Sequence, residues 1–336
     1  MRSPNILQLV LGTDNLPLSK HLYSSVFGFA PAGERLIYSQ HNGEVMGLGT
    51  WGAAMVAYLV GRQELLQLEF WTHTTPRQQP LPADWRPSDI GFCRFGIAVS
   101  DFDDVLAKLA EFAISPIAEP LVRNGLRRAC FTDPAVGIPV EIMEEGPGLP
   151  GIRDRYHDLD PAIVYAAVSV TDLAESVAFF SAVIGMQTTD VELHSPADEA
   201  SWGLAGAASK TAVLLAGTTF LELVEYVNPA GRDPADASLA SQGFTTVAVG
   251  FRDPQETGRI FDRVKAAGLG WTVERPASHI GGNHVVGAIA QHLKTLSVPH
   301  ELEQQFGFAP EENRWWRPPA SVPDTTSAAL SAAHTN

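Results

Sequence analysis

The chain repeats one short pattern, and this repeat constrains its fold more strongly than any other feature of the sequence. Residues 13–29 read TDNLPLSKHLYSSVFGF, and residues 171–186 read TDLAESVAFFSAVIGM. Each copy follows an apolar, β-rich run, carries an aspartate at the start of a helix and stops at a glycine, Gly28 or Gly185. An internal repeat of this kind indicates an architecture built from equivalent units, and we expect a site to lie between them.

Four such units follow one another, and each consists of a strand, a helix and further strands. Their opening strands are predicted at Ile6–Leu11, Cys93–Val99, Ile163–Val170 and Phe244–Phe251. Their helices are predicted over Pro17–Phe27, over Phe102–Phe112, after Asp172 and over Pro254–Ala267. Apolar residues recur at helical spacing in these segments. The last strand of the fourth unit is predicted at Thr295–Glu303.

The pattern predicts an α+β fold in which four βαβββ units form two tandem domains. At ~100–200 residues for each domain, a chain of 336 residues has room for two. The predicted divisions are a first domain at 1–147 with units at 3–73 and 90–145, a linker at 148–160, a second domain at 161–308 and a tail at 309–336. The linker is rich in Pro, Gly and charge, and the Pro-rich tail is expected to be partly disordered.

Charge and composition exclude several classes of partner. The chain has 23 basic and 38 acidic residues and a net charge of −15, which argues against nucleic-acid binding because phosphates require a basic face. No apolar run approaches the ~20 residues of a membrane span, and the first residues lack the apolar core of a signal peptide. The two cysteines form no CxxC motif. We therefore expect a cytoplasmic protein whose partner is a small molecule, and a homo-oligomer is left open.

Two further motifs accompany the repeat, FTDPAVGIPVEIME at residues 131–144 and FLELVEY at residues 220–226. With these motifs the sequence resembles the vicinal oxygen chelate superfamily, which includes glyoxalase I, methylmalonyl-CoA epimerase, bleomycin-resistance proteins and type I extradiol dioxygenases. The resemblance extends from about Ile6 to Phe306. It implies that the four units form two tandem glyoxalase/dioxygenase-like domains, but it leaves the reaction open because this scaffold hosts many chemistries.

The resemblance also implies where a metal would bind. In the family, His, Gln and Glu ligands come from the first and last strands of each unit and leave coordination positions open for a substrate. The matching positions are Gln8, Glu69, Arg94 and Glu141 in the first domain and Tyr165, Glu222, Thr246 and Glu301 in the second. The first set resembles that of glyoxalase I, except that Arg94 stands where a histidine is expected. The second set lacks both histidines of the extradiol dioxygenases.

The implied metal ligands are Glu141, Glu69, Gln8 and Glu301, and the implied cofactor is a divalent iron, manganese, zinc or nickel ion. Arg94 changes this expectation, because a guanidinium stays protonated and cannot act as an ordinary ligand. No cofactor is expected if Arg94 replaces the ion. A rearranged site that uses His73, or His284 with His292, is a further alternative.

For catalysis, the sequence predicts Glu141 or Glu69 as a base and Arg94 as the group that stabilises an anion. Two carboxylates around one arginine are expected to raise the pKa of one carboxyl group. The structural alternative is an ion pair of Arg94 with either carboxylate. The predicted substrate contacts are Gln8, Trp71, His73 and Tyr165. Because side chains alternate along a strand, Trp71 and His73 are expected to share the face of Glu69.

The predicted function is an enzyme of the vicinal oxygen chelate type that acts on a small aromatic or oxygenated organic molecule. Its chemistry would be of the ring-cleavage dioxygenase, lyase or isomerase kind, with a divergent or absent metal. The alternative is a metal-free protein that sequesters a small molecule, as bleomycin-resistance members do. The missing histidines favour this alternative, whereas the polar ligand set favours the enzyme. A third reading is that one domain keeps a site while the other stabilises it.

Overall fold

The computed structural model of the chain describes residues 3–46, 48, 51–147, 155–233, 238–271, 283–286 and 292–311. Two of the predicted segments, the linker and the tail, lie largely outside these residues. Residues 148–154 of the predicted linker and residues 312–336 of the predicted tail lie outside the described residues.

Strands make up most of the described structure. They are β1 (Asn5–Gly12), β2 (Ala30–Ser39), β3 (Gly52–Val60), β4 (Gln67–Thr75), β5 (Gly91–Val99), β6 (Leu121–Arg123), β7 (Leu126–Thr132), β8 (Pro139–Glu144), β9 (Ala162–Ser169), β10 (Gln187–Thr189), β11 (Ala208–Ala216), β12 (Thr219–Asn228), β13 (Gly243–Phe251), β14 (Gly270–Trp271), β15 (Asn283–Val286) and β16 (His292–Ser297). The α-helices are α1 (Leu16–Leu22), α2 (Gln40–Val45), α3 (Phe102–Glu111), α4 (Leu173–Ala178) and α5 (Pro254–Ala266). Within the described ranges, none of the helices has the combined length and hydrophobicity of a bilayer-crossing segment.

The repeated motif acts at both ends of its helix. At the start, the side chains of Asn15 and Asp172 accept hydrogen bonds from backbone N–H groups in the first turn of α1 and α4. At the end, each helix passes through one π-helical turn and stops at Gly28 or Gly185, with φ of 84° and 95°. A left-handed residue of this kind favours glycine, which has no Cβ to clash with the backbone. The predicted stops at both glycines and the predicted Asp172 cap are therefore confirmed, whereas α1 is capped by Asn15 and not by the aspartate before it.

The strands form two eight-stranded sheets within the described residues, and neither sheet combines the two units that the sequence predicts to share a domain. The first sheet has the order β14-β15-β16-β13-β1-β4-β3-β2, and the second has the order β10-β11-β12-β9-β5-β8-β7-β6. The first unit therefore shares a sheet with the fourth, and the second with the third. The sequence predicts sites shared by adjacent units, the first with the second and the third with the fourth. Each sheet instead draws strands from both sides of the predicted linker at 148–160.

The central strand pairs of the two sheets determine which units share a sheet. In the first sheet β1 runs antiparallel to β13, with Leu9 opposite Val247. In the second sheet β5 runs antiparallel to β9, with Phe95 opposite Ala166. Opening strands of the units thus meet in pairs, and nothing in the local sequence of a unit specifies its partner.

Within each unit, the last strand lies parallel to the first with the same register. The pairs are Val10 with Glu69, Gly96 with Glu141, Ala167 with Glu222 and Ala248 with Lys294. Lys294 therefore occupies the position that the sequence assigns to Glu301. The predicted strand Thr295–Glu303 is wrong in register, because β16 ends before Pro299 and Glu301 lies in an exposed 3-10 turn. Proline lacks the N–H that a strand interior requires.

The main core lies on the helix-bearing sides of the two sheets. Residues of α1, α3, α4 and α5 share one apolar cluster with both sheets, and Phe92 of β5 stacks on Phe244 of β13 with ring centroids 4.9 Å apart. Because strand side chains alternate, the remaining residues of each strand point to the opposite side, which we call the inner face. All the predicted site residues on the first and last strands, Glu301 excepted, lie on the inner faces.

Candidate functional site

The inner face of the first sheet brings together five residues, which we call the first-sheet site. They are Gln8, Glu69, Trp71, His73 and Lys294. Four of them are buried, with 2–6% of their surface exposed, and the Lys294 side chain is 17% exposed. Glu69, Trp71 and His73 alternate along β4 as the sequence predicts, and the rings of the last two stack with their centroids 5.3 Å apart.

A chain of side-chain amides orients Gln8 toward Lys294. Gln67 Nε2 donates to the backbone carbonyls of Phe306 and Gly307, at 3.0 and 2.5 Å. Gln67 Oε1 therefore faces Gln8 and accepts from its Nε2 at 2.9 Å. The Gln8 carbonyl is left to accept from Lys294 Nζ, also at 2.9 Å. The segment that follows β16 thus fixes the position of an ammonium group through two amides.

Lys294 and Glu69 form a loose ion pair on this face. Lys294 Nζ lies 3.7 Å from Glu69 Oε2, which is beyond hydrogen-bond distance. Glu69 Oε2 is buried and has no hydrogen-bond partner among the described residues. A buried carboxylate oxygen in this state is unusual, because buried polar atoms in folded proteins are nearly always paired.

Trp71 and His73 add further unused polar atoms. Trp71 Nε1 and both ring nitrogens of His73 are buried without a hydrogen-bond partner in the described part of the chain. Burial lowers the pKa of His73 to about 4; the Leu239 backbone opposes this shift, although its geometry with the ring falls short of a hydrogen bond. His73 is therefore neutral at physiological pH.

The inner face of the second sheet carries a different cluster, which we call the second-sheet network. It consists of Arg94, Glu141, Tyr165, His194 and Glu222, all at most 3% exposed. His194 bridges the two carboxylates: its Nδ1 lies 2.9 Å from both oxygens of Glu222, and its Nε2 lies 2.9 Å from Glu141 Oε2. A single imidazole thus lies between two positions at which the family resemblance implies metal ligands.

His194 is protonated on both nitrogens in this network. Burial alone would lower the pKa of His194, but the charges and hydrogen bonds of Glu222 and Glu141 outweigh it and raise the pKa to about 9. Burial would raise the pKa of Glu141, but His194, Arg128 and the Tyr165 hydroxyl together lower it to about 2. Ionised carboxylates only accept hydrogen bonds, so both ring nitrogens donate. The sequence predicts a raised pKa for one of two carboxyl groups around one arginine; the two groups lie in different sheets, and the pKa of Glu141 is lowered.

Arg94 completes the charge balance. Its Nη2 donates to Glu222 Oε2 at 2.8 Å and its Nη1 to the Tyr226 hydroxyl at 3.1 Å. Trp202 covers the Arg94 guanidinium, whose carbon lies 4.1 Å from the centre of the indole ring. The ring of His194 packs edge-on against the same Trp202 ring, with the centroids 5.0 Å apart. Arg94 therefore pairs with Glu222, not with Glu69 or Glu141.

Tyr165 belongs to the same network. Its hydroxyl donates to Glu141 Oε2 at 2.7 Å, and the side chain is completely buried. Gly96 makes this position accessible, because a Cβ there would lie 2.3 Å from the Tyr165 ring. The predicted substrate contact of Tyr165 is replaced by a structural hydrogen bond inside the protein.

Neither inner face fits the metal that the family resemblance implies. In the second sheet, the imidazolium and Arg94 already bind the carboxylates that would be ligands. In the first sheet, Gln8 and Glu69 face the ammonium of Lys294, and an ammonium has no lone pair to offer a metal. Among the described residues, no group of three or more His, Cys, Asp or Glu side chains is arranged to hold a metal ion.

The residues predicted for one site in each domain are therefore divided differently, between the inner faces of the two sheets. Gln8 and Glu69 lie together, with Trp71 and His73 on the same strand face, whereas Arg94 and Glu141 join Tyr165 and Glu222 in the other sheet. Glu301 lies apart from both sites. For the alternative of His284 with His292, the backbones of the two residues lie on β15 and β16, and their side chains lie outside what the structure describes.

Sequence reasoning missed His194 and Lys294. His194 lies between β10 and a 3-10 turn, and its spacing matches no ligand motif. A signal did exist for Lys294: Pro299 argues against a strand that continues to Glu303. If the strand ends before Pro299, His292 lies opposite Thr246. Lys294, two residues further on, then lies on the same face of the strand.

The comparisons with known proteins agree with the fold. Residues 162–296 match the family described as the Glyoxalase/Bleomycin resistance protein/Dioxygenase superfamily. Among curated proteins, no sequence gave a significant match.

Solved structures resemble the whole chain at low sequence identity. Glyoxalase I from Zea mays shares 17% identity, with a TM-score of 0.59 over 93% of this chain and 98% of that chain. A provisionally assigned dioxygenase from Bacillus subtilis shares 12% identity, with a TM-score of 0.61 over 91% of this chain and 90% of that chain. At these identities the likeness establishes the tandem α+β fold and leaves the reaction open, as the sequence predicts.

Proposed function

We propose that the first-sheet site acts on a small oxygenated organic molecule, because residues 162–296 match the Glyoxalase/Bleomycin resistance protein/Dioxygenase superfamily and the whole chain resembles glyoxalase I from Zea mays in fold. The reaction is a metal-independent proton transfer of the isomerase or lyase kind. The second-sheet network is structural in this proposal.

The observation that carries the proposal is the state of Glu69. Its Oε2 is buried, unpaired among the described residues and 3.7 Å from an ammonium. The equivalent oxygens of Glu222 are fully engaged by His194 and Arg94. A carboxylate oxygen that no protein group uses is available to a substrate, and a nearby cation marks where negative charge can develop.

The roles follow from this geometry. Glu69 removes a proton from a carbon next to a carbonyl group, so the proton moves to the carboxylate and the electron pair moves onto the carbonyl oxygen. Lys294 stabilises the resulting enolate, and Gln8 holds the ammonium in place. Return of the proton to the opposite face of the same carbon gives the epimer, which is an isomerase product, whereas loss of a leaving group from the adjacent carbon with its bonding electrons gives a lyase product.

The alternative function is binding without reaction. The misfit of both inner faces with a metal favours it, because a cation beside an aromatic wall can retain an oxygenated ligand without changing it. The same residues would serve both functions, but only the enzyme requires Glu69 to exchange protons with its ligand.

Hydrogen–deuterium exchange tests the proposal without knowledge of the product. A panel of small 2-oxo and 3-oxo acids in D₂O is incubated with the protein, and loss of the C–H signal next to the carbonyl is followed by proton NMR. The wild type is expected to catalyse exchange on at least one compound. Glu69→Gln is expected to lower that rate ~10²–10⁴-fold, the usual contribution of a general base. Lys294→Met is expected to lower it ~10²–10³-fold.

Glu34→Gln is the matched control, because this glutamate lies on the same sheet with its side chain 51% exposed. It is expected to retain the wild-type rate. If Glu69→Gln exchanges as fast as the wild type, Glu69 is not the base. If the compounds bind but none exchanges, the binding alternative replaces the enzyme.

A further inference from the structure

The outer edges of the two sheets differ in length. As far as the structure describes them, three edges end in strands of two or three residues, which are β6, β10 and β14. The fourth ends in β2, which is ten residues long. Every second residue of an edge strand directs its N–H and C=O groups away from the sheet, and native proteins usually shorten, charge or cover such an edge. Among the described residues, β2 is therefore the edge that most requires a cover.

The edge at β2 also exposes large apolar side chains, which we call the edge strip: Leu36, Tyr38, Trp51 and Met55. Leu36 is 75% exposed and lies opposite Met55 of β3. Tyr38 is 67% exposed and contacts Trp51, with the ring centroids 5.3 Å apart. These four are more than half of the large apolar side chains that are exposed in the described part of the chain. Clustering of this kind indicates a surface that another segment covers.

A hollow of about 260 Å³ adjoins the edge strip. It lies between the start of α1 and the neighbouring strands, and its apolar wall consists of Leu16, Pro17 and Met55. The charged residues of its wall are Asp14, Lys20 and Glu34. An apolar wall with an excess of acidic groups suits an aromatic side chain that has a basic neighbour.

The carboxyl-terminal part of the chain arrives at this edge. After β16, the ring of Phe306 lies under Arg35 of β2, with its centroid 5.1 Å from the guanidinium carbon. The backbone N–H of Glu311 then donates to the Pro31 carbonyl at 2.8 Å. Pro31 is the second residue of β2, so nearly the whole strand extends beyond this contact in one direction. Glu311 is the last residue that the structure describes, and the chain therefore continues from the start of β2.

The sequence after Glu311 matches the length of the edge. Residues 312–317 read ENRWWR, and prolines follow at 318 and 319, where an added strand would end because proline has no N–H. Trp316 comes five residues after Glu311, and Leu36 comes five residues after Pro31. At ~3.3 Å per residue, both spacings are ~16 Å. An extended segment thus brings residues 315 and 316 to the edge strip and arginines 314 and 317 to its acidic border.

We propose that residues 312–317 add to the first sheet as a parallel strand along β2, and that Trp315 and Trp316 cover the edge strip and the hollow beside it. The backbone of the segment pairs with the outward N–H and C=O groups of β2, while the indole rings bury the apolar side chains. The inference does not depend on the function proposed for the first-sheet site, because none of these residues belongs to that site.

Photochemical cross-linking of the full chain tests this placement. Trp316 is replaced by p-benzoylphenylalanine, an aromatic residue that bonds to neighbouring C–H groups under ultraviolet light, and the cross-linked peptides are identified by mass spectrometry. The main product is expected to join residue 316 to β2, to β3 or to Trp51. An equal mixture of ¹⁴N- and ¹⁵N-labelled chains shows whether the two joined peptides come from one chain.

Leu330 is the matched control position, because it is an apolar residue fourteen positions further along the same segment. The same replacement there is expected to give no main product with the edge strip. Products with mixed labels would show that a second copy of the chain covers the edge, and this result would overturn the proposal. A product from position 316 that avoids β2 and β3, or one that position 330 gives equally, would overturn it as well.

Hydrogen–deuterium exchange detects the added strand itself. The amides of β2 are expected to exchange at least about tenfold faster in the double variant Trp315→Ser, Trp316→Ser than in the full chain, because edge amides that lose their partners are open to water. A chain that ends at Pro323 keeps the segment and is expected to exchange like the full chain. Equal exchange in the double variant and the full chain, or faster exchange in the shortened chain, would contradict the proposal.

Discussion

The two sheets carry a glutamate at the same register position, Glu69 in the first and Glu222 in the second, and surround it in opposite ways. Glu222 accepts hydrogen bonds from Arg94 and His194, whereas Glu69 faces a single ammonium beyond hydrogen-bond distance. Four residues further along the same strands, the Tyr226 hydroxyl is paired and the His73 ring is not. In the second sheet the oxygens of Glu222 and Tyr226 are paired within the protein, whereas Glu69 Oε2 and the His73 ring nitrogens have no partner among the described residues.

The two inner faces place a cation beside this glutamate in two different ways. In the second sheet, His194 supplies a cation from within the chain and Trp202 seals it, so the inner face becomes part of the core. In the first sheet, Lys294 supplies a cation that still contacts solvent, with its side chain 17% exposed. The following changes test whether stability resides in one network and chemistry in the other.

The largest expected effect is on stability, from Glu222→Gln. Removing one partner of a buried ion pair leaves the others uncompensated, and we expect the free energy of unfolding to fall by ~3–5 kcal/mol in urea titrations. The twin change Glu69→Gln is expected to alter it by less than ~1 kcal/mol, because Lys294 can turn to solvent. Equal losses from the two changes would remove the distinction between the sheets.

The next effect depends on pH through His194. Its pKa is about 9 in the folded chain against 6.5 when unfolded. A raised pKa means that the imidazolium stabilises the fold fully below pH 6.5 and that this contribution is lost as the pH rises through 9. We expect the stability difference between the wild type and His194→Gln to shrink by ~3 kcal/mol between pH 6 and pH 10.

Urea titrations of both proteins at each pH measure this difference and cancel the titration of groups that they share. The lowered pKa of Glu141 reflects the same contacts, so its effect is not added. A difference that stays constant over this range would mean that His194 does not carry a stabilising charge.

A smaller effect is expected from Tyr165→Phe, which removes the hydrogen bond to Glu141. Hydrogen bonds to charged groups contribute ~1.5–3 kcal/mol, and we expect a loss of that size in the free energy of unfolding. Tyr58 on the first sheet lies opposite Glu69 and makes no hydrogen bond through its hydroxyl among the described residues. Tyr58→Phe is therefore expected to cost less than ~0.5 kcal/mol. A reversed order would assign the structural role to the first sheet.

The smallest effect is expected from metal removal. Because neither inner face offers a free set of ligands, dialysis against a chelator should leave the melting temperature and the free energy of unfolding unchanged. An ion present at 100 times its Kd would instead contribute ~2.7 kcal/mol. Elemental analysis of protein purified without a chelator is the companion measurement, and a stoichiometric ion lost together with stability would contradict the misfit.

The sequence was sufficient for the fold within each unit and insufficient for the assembly of the units. The cap at Asp172 and the stops at Gly28 and Gly185 are local features that local patterns predict, and the cap of α1 lies at Asn15, one residue after the predicted aspartate. The pairing of β1 with β13 depends on contacts between strands some 240 residues apart, which no local pattern encodes. For the same reason the sequence predicts Arg94 beside Gln8, although the two residues lie in different sheets.

The candidate site was predictable to the extent that strand alternation decides it. Glu69, Trp71 and His73 follow from one strand, and Gln8 follows from its parallel neighbour. His194 could not be predicted, because its loop reaches the carboxylates by a path that leaves no periodic pattern. The prediction of Lys294 requires the correct end of β16. The predicted strand ends a few residues too late, and it therefore assigns Glu301 to the position of Lys294.

The interleaving of the units also orders the assembly of the chain during synthesis. Strands β5–β12 lie within residues 91–228, so the second sheet has all its strands while the fourth unit is still inside the ribosome. The strands β1–β4 must wait for β13 and β16 with an open edge, and open edges of this kind invite pairing with other chains. The half that is finished first is the one with the internal ion pairs. Lys294 is the last residue of the first-sheet site to be synthesised, so this site is assembled only after the described strands of the second sheet have been made.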